Sequence, residues 1–177
     1  MAIEATVGSP DANSYVTLAE AEAYFAERLH ADAWAGASEA DKEKALLTAC
    51  RHLARLRYWD GNQPAFTDPG QALTFPRTRD VDADGSYIIP QPVKDAQCEE
   101  SLALLSRGAE QERRRSLQAA GVTSFSVEGL SESYAPGAVQ QALGSAEART
   151  LLASLICRGG VIATSDRLEG EFTAGSG

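Results

Sequence analysis

Apolar residues recur every three or four positions in several stretches of this 177-residue chain, as they do along one face of an α-helix. The first predicted helix begins at Thr17, where Thr17-Leu18-Ala19-Glu20 has the form of a capping box, and runs to about Leu29. The second begins at Ser38, a favoured helix cap, and ends near Trp59-Asp60-Gly61. Each carries an apolar stripe, so the pattern predicts helices that pack on one another.

Two further helices are predicted in the second half of the chain. One starts at Pro92-Val93, since proline suits a first turn, and it is expected to be the longest. It continues to the basic run Arg113-Arg114-Arg115 and is closed by Gly121. The other is capped by Ser145 and ended by Gly159-Gly160. The predicted fold class is therefore mainly α, a bundle of about four helices.

Segments outside these helices carry other signals. Prolines and glycines between residues 60 and 92 disfavour a helix there, which predicts a long inter-helix loop. Apolar and small polar residues alternate over about 122–135, which predicts a small β-hairpin or arm. Residues 160–177 hold too little apolar surface to fold alone and form an extended C-terminal tail. We expect one domain, 1–159, followed by this tail at 160–177.

Composition and charge narrow the functional classes. The net charge is −9 and the pI about 4.7, a balance that repels phosphate backbones and disfavours general nucleic-acid binding. No apolar run approaches the roughly 18 residues of a membrane span, and the N-terminus lacks the pattern of a secretory signal. We therefore expect a cytoplasmic protein. Its three cysteines, Cys50, Cys98 and Cys157, lie far apart and are expected to be buried thiols.

Catalytic constellations are missing from the sequence. The chain has two histidines, His30 and His52, and neither is accompanied by a nucleophile elbow, a zinc-protease motif or a phosphate loop. His52 is expected on a helix surface or at an interface. The adjacent carboxylates Glu99 and Glu100 diverge by about 100° on a helix and so cannot converge on one substrate. We expect no enzyme activity and no cofactor.

One segment resembles the opening of a calcium loop. Asp80, Asp82 and Asp84 alternate before Gly85, as oxygen ligands do in an EF-hand. However, the twelfth position, which should be a bidentate glutamate, is Gln91. The alternative is a hairpin turn in which Asp84-Gly85 supplies positive φ angles, and the sequence favours that alternative over a calcium site.

A resemblance to a known family rests on motifs that span residues 13–105. The most specific piece is Leu73-Thr74-Phe75-Pro76-Arg77, followed by Ile89-Pro90. Other matching pieces are Ser14-Tyr15, Ala23-Tyr24-Phe25, Trp34, Ala45-Leu46 through Leu53, Tyr58-Trp59-Asp60-Gly61, Val93, Ala96, Cys98-Glu99 and Leu102. In this order they resemble a family of small phage proteins that is often labelled DnaT-like single-stranded-DNA-binding protein. The same family is similar in size and helical plan to the head-to-tail connector, or head-completion, adaptors of tailed bacteriophages.

The connector resemblance implies a structural virion protein. It implies a ring of about twelve copies in the neck, between the portal protein and the next tail protein, with DNA passing through without specific binding and no membrane contact. The protein would be made in the bacterial host cytoplasm. The alternative function is a DnaT-like single-stranded-DNA-binding replication protein. In the connector hypothesis, candidate contacts to the portal or a neighbouring subunit are Arg77, Arg79, Arg113, Arg114, Val161, Ile162, Arg167 and Phe172.

Two roles remain open for Arg77, which follows Phe75 and Pro76 in the loop. Phe75 is expected to anchor the loop to the helices, since its ring is large and apolar. Arg77 is then free to pair with a carboxylate, either on a neighbouring subunit or within its own chain.

Overall fold

The computed structural model describes residues 2–60, 63–64, 70–107, 124–127, 130–133 and 143–156. Within them the chain is mainly helical. The helices are α1 (Leu18–Ala26), α2 (Asp32–Ala35), α3 (Glu39–Ala54), α4 (Gln91–Leu105) and α5 (Ala146–Leu151). Two antiparallel pairs of short strands accompany them: β1 (Trp59–Asp60) with β2 (Gln63–Pro64), and β3 (Ser124–Val127) with β4 (Leu130–Ser133). None of the described helices has both the length and the apolar character needed to cross a bilayer.

The predicted capping box begins α1. The Thr17 hydroxyl accepts the Glu20 amide at 3.1 Å, and the Glu20 carboxylate accepts the Thr17 amide at 2.7 Å. The predicted end at Leu29 is wrong, because the helix stops at Ala26 and Leu29 is 79% exposed. His30 then takes a positive φ of 59°, which turns the chain into α2. Helix α2 is a single turn and was not among the predicted helices.

Helix α3 begins where predicted but ends early. The Ser38 hydroxyl accepts the Asp41 amide at 3.2 Å, and the helix stops at Ala54 instead of continuing to Trp59. Tyr58 explains the difference, since its buried hydroxyl donates to the Leu53 carbonyl at 2.9 Å. The chain therefore folds back on the helix end, and the next residues form β1.

Helix α4 starts with proline in its first turn, as predicted, and ends at Leu105. There the Ser106 hydroxyl donates to the Leu102 carbonyl at 2.7 Å and helps to close the last turn. The predicted uninterrupted helix beyond Leu105 is therefore wrong, and Arg113-Arg114-Arg115 and Gly121 lie outside the described residues. Its 15 residues are one fewer than the 16 of α3, so α4 is not the longest described helix.

The last predicted helix is shorter than the sequence indicated. The Ser145 hydroxyl caps α5 by accepting the Ala148 amide at 3.1 Å, but the helix stops at Leu151, before the predicted glycine pair. A turn follows, and Ile156 forms a bridge with Tyr58.

Two other predicted segments are described only in part. In the predicted arm, Ser124 pairs with Ser133 and Val127 with Leu130. Residues 122–123, 128–129 and 134–135 of the arm and the whole predicted tail, 160–177, lie outside the described residues.

The core has two clusters of buried side chains that meet along α4. Helix α4 contacts each of the other four described helices. One cluster combines residues of α3 and α4 with the α5 region and the loop, including Tyr15, Leu53, Phe75, Val93 and Leu152. The other joins α1, α2, α3 and α4 and includes Val16, Phe25, Trp34, Leu46 and Leu102. Phe75 lies edge-on to Tyr15 and Tyr58, so the predicted anchoring of the loop is confirmed.

Replacing Leu53 with alanine tests the first cluster. Leu53 is fully buried, so the substitution leaves a cavity and should lower the free energy of unfolding by about 2–5 kcal/mol. The matched control is Leu29→Ala, because Leu29 is 79% exposed and its truncation should change stability by less than about 0.5 kcal/mol. Urea denaturation followed by circular dichroism measures both. Equal costs for the two variants would contradict the packing described.

Candidate functional site

Helix α4 carries four buried polar residues within one five-residue stretch: Gln97, Glu99, Glu100 and Ser101. Charged side chains are seldom buried unless they are paired, because leaving water costs them their hydration. The Ser101 hydroxyl donates a hydrogen bond to the Cys98 carbonyl of the same helix at 2.7 Å. The other three reach out to different parts of the chain.

Gln97 joins the N-terminal segment to α3. Its side-chain oxygen accepts the Tyr15 amide at 2.8 Å. Its nitrogen donates to the Ser14 hydroxyl at 2.7 Å and to the Leu46 carbonyl at 3.0 Å. All three partners are backbone or short side-chain groups in the interior, so the amide of Gln97 satisfies polar atoms that would otherwise be buried alone.

Glu99 faces α1. Two guanidinium nitrogens of Arg28, Nε and Nη2, donate to its carboxylate. Nη2 lies 2.9 Å from Oε2. The Tyr24 hydroxyl donates to Oε1 at 2.8 Å. The bond to Glu99 raises the pKa of Arg28, and burial together with this carboxylate raises the pKa of Tyr24. Glu99 therefore holds α1 against α4 through its charge.

Glu100 faces α3 and the start of α5. His52 Nδ1 lies 2.8 Å from Oε1, and the Gly144 and Ser145 amides each donate to Oε2 at 2.8 Å. Burial raises the pKa of the Glu100 carboxyl, but these bonds outweigh burial and leave the pKa below its usual value. The buried carboxylate thus stays ionised and ties three helices together.

These contacts decide what the α4 carboxylates can do. Glu99 and Glu100 point to opposite neighbours, as the helical spacing predicted, and each is bonded to partners inside the protein. His52 is half-buried with Glu100 as an oriented partner, which sequence analysis missed because 48 residues separate them. Through these bonds the two carboxylates hold neighbouring segments against α4.

The loop residue Arg77 is buried and pairs within its own chain. Its Nε and Nη2 lie 2.8 Å and 2.7 Å from the two carboxylate oxygens of Asp80. Its guanidinium also lies 4.9 Å from the centroid of the Phe75 ring. Of the two roles predicted for Arg77, the structure has the intrachain pair.

The Asp80–Gly85 segment forms a turn. The Asp82 carboxylate accepts the amides of Asp84 at 3.0 Å and Ser86 at 2.9 Å, and Gly85 has a φ of 82°. The hairpin-turn alternative is confirmed at Gly85, although Asp84 does not share the positive φ predicted for it. The calcium candidates Asp80, Asp82 and Asp84 do not assemble, and the described residues contain no cluster of three or more metal-ligating side chains.

Three arginines at the end of α3 form the candidate binding surface, which we call the arginine cluster: Arg51, Arg55 and Arg57. All are exposed, and among the described residues none of the three makes an ion pair. Arg51 and Arg55 are four residues apart and so lie on the same face of the helix end. In contrast, Lys42, Lys44 and Lys94 each pair with a carboxylate.

The other predicted contact residues are placed as follows. Arg79 is exposed in the loop. Arg113, Arg114, Val161, Ile162, Arg167 and Phe172 lie outside the described residues. The arginine cluster was not among the predicted contacts.

The family model described as "Putative DnaT-like ssDNA binding protein" matches residues 1–168. The chain belongs to this family. The match supports the DnaT-like part of the resemblance and not its head-tail connector part. No curated protein and no solved structure matches the chain.

Replacing Glu100 with glutamine tests the ionised buried carboxylate. Because the folded-state pKa lies below the usual value, the stabilisation is fully present above the pKa of an unfolded glutamate, about 4.3. It is lost as the pH falls through the folded-state pKa. Glu100→Gln should therefore lower the free energy of unfolding by about 2 kcal/mol at pH 7, and the difference from wild type should shrink towards pH 3. Urea denaturation across this pH range measures it.

The control for that variant is Glu27→Gln, since Glu27 is exposed. It should change stability by less than about 0.5 kcal/mol. A Glu100→Gln deficit that stays the same from pH 7 to pH 3 would contradict an ionised buried Glu100.

Proposed function

We propose that this protein binds single-stranded DNA through the arginine cluster. Membership of a family described as DnaT-like and ssDNA-binding supports the ligand, and the three exposed arginines support the place. The observation that carries the proposal is that Arg51, Arg55 and Arg57 make no ion pair with any described carboxylate.

Unpaired arginines are suited to phosphate for a physical reason. A guanidinium already paired to a carboxylate must give up that bond before it can bind a phosphate, whereas a solvated one exchanges only water and counterions. Its planar fork also matches phosphate oxygens in a bidentate contact. Arg51 and Arg55 on one helical face can therefore approach the same strand.

The net charge of −9 limits this binding. The acidic surface repels the DNA backbone at long range, so the attraction of the arginine cluster is local. Added salt screens the long-range repulsion, but it also weakens counterion release at the arginines. We expect modest affinity that falls as salt rises, because the direct contacts govern binding.

Removing two of the arginines provides the test. The variant is Arg51→Gln/Arg55→Gln, and binding of a fluorescein-labelled oligothymidylate of about 30 nucleotides is followed by fluorescence anisotropy across a salt series. Each lost phosphate contact should reduce the magnitude of the slope of log K against log salt by about 0.7, so the double variant should lose about 1.4.

The matched control is Lys44→Gln/Lys94→Gln, which removes the same charge from two lysines that already pair with carboxylates. Its slope should stay close to that of the wild type, because paired lysines contribute less to phosphate contacts. Equal losses in the two variants would show that net charge alone governs binding. Absence of binding by the wild type at low salt would contradict the proposed function.

A second candidate function is the head-to-tail connector, and the net charge favours it. An acidic wall repels the phosphate backbone, which allows DNA to pass through a ring without sticking. We infer in this case a homo-oligomeric ring in the virion neck, with the portal and the next tail protein as partners.

The connector candidate predicts that the chain is present in mature particles. Electron cryo-microscopy of particles from the source phage should then show this chain as a symmetric ring between portal and tail, because a closed heterologous contact repeats around an axis. Density at the neck that this fold does not fit would exclude the connector role.

A further inference from the structure

The 80–88 hairpin carries exposed apolar side chains. Ile88 donates its amide to the Asp80 carbonyl at 2.9 Å, and Val81 pairs with Tyr87 across the two arms. Yet Val81 is 42% exposed, Tyr87 57% and Ile88 41%. Three large apolar side chains thus lie in water within eight residues, and such clustering marks an interaction surface more than scattered exposure does.

The hairpin is also acidic. Asp82 and Asp84 lie in its turn, and both are exposed. The Asp82 carboxylate is used to hold the turn, but among the described contacts that of Asp84 accepts no hydrogen bond. A surface that binds this hairpin needs apolar side chains to contact Val81 and Tyr87. It also needs at least one cation that can pair with Asp84.

The outer face of α3 offers both features. A shallow groove of about 370 Å³ lies between α1 and α4, but its wall carries the carboxylates of Glu20, Glu27 and Asp95. The groove on α3, about 270 Å³, is lined instead by Ala40, Glu43, Lys44, Leu47, Thr48 and Arg51. Among the described residues Arg51 makes no ion pair. The groove is lined by one carboxylate, Glu43, and two cations, Lys44 and Arg51.

We propose that the 80–88 hairpin of one copy docks in the α3 groove of a second copy, with Asp84 opposite Arg51. Each copy carries one hairpin and one groove, so the contact is heterologous and can repeat from copy to copy. Val81 and Tyr87 supply the apolar contact, and the Asp84–Arg51 pair sets its register. The inference does not require DNA binding, although Arg51 belongs both to the α3 groove and to the arginine cluster.

A charge exchange tests the proposal in the full-length protein. Sedimentation velocity should show wild-type association that grows with concentration. Asp84→Arg alone places two cations together, and Arg51→Glu alone places two carboxylates together, so each should weaken self-association at least about tenfold. Mixing the two variants restores an opposite-charge pair at every contact and should restore assembly.

The apolar part has its own matched control. Val81→Ser/Tyr87→Ser should abolish association, whereas Val7→Ser should not, because Val7 is as exposed, at 43%, but lies outside the hairpin. Circular dichroism checks that the variants fold. Wild-type protein that stays monomeric up to about 1 mM, or a mixture that fails to reassemble, would overturn the proposal.

The hairpin variants also separate this result from the proposed function. Val81→Ser/Tyr87→Ser keeps all three residues of the arginine cluster. Arg51 belongs to both surfaces, so the decisive readouts are whether the variant loses self-association and whether it still binds oligothymidylate. Loss of self-association with binding retained supports the docking proposal and leaves the proposed function standing. If self-association is unaffected, the docking proposal fails whatever the DNA result.

Discussion

The buried carboxylate of Glu100 is the contact on which the arrangement of the helices depends. Its oxygens are hydrogen-bonded to His52 Nδ1 on α3 and to two backbone amides at the start of α5. One charge on α4 therefore holds both α3 and α5 in place. Leaving that charge unpaired in the interior would cost several kcal/mol, so these partners must stay in place for the fold to be stable. Glu99 does the same for α1 through Arg28. Helix α4 therefore organises the bundle with charges as well as with its apolar face.

Within the described part of the chain, the end of α3 carries exposed charged side chains. Lys42 and Lys44 are engaged by carboxylates near the start of the helix, while the arginine cluster at its end is solvated. The acidic 80–88 hairpin carries the opposite charge on another element. Although the chain is acidic overall, its described surface thus holds a basic region at the end of α3 and an acidic region in the 80–88 hairpin. The first suits phosphate, and the second suits a basic surface such as that of another copy.

Local signals were predictable from sequence, and long-range pairs were not. The capping box at Thr17 and the cap at Ser145 involve residues three positions apart, so their chemistry is visible in the sequence. Helix ends were misplaced where a distant contact turns the chain, as Tyr58 does after α3. The partnership of His52 with Glu100 has no sequence signal. Two members of the arginine cluster, Arg51 and Arg55, had one, because no Asp or Glu stands three or four positions from either.

The functional account rests on where a single strand of DNA contacts the protein, and nuclear magnetic resonance can locate this directly. Side-chain Nε–Hε signals of the arginines would be followed while oligothymidylate is added at low salt. The account predicts that the largest shifts belong to Arg51, Arg55 and Arg57, with the signals of Arg28 and Arg77, which pair with carboxylates, unchanged. Shifts confined to other residues, or none at all, would contradict it.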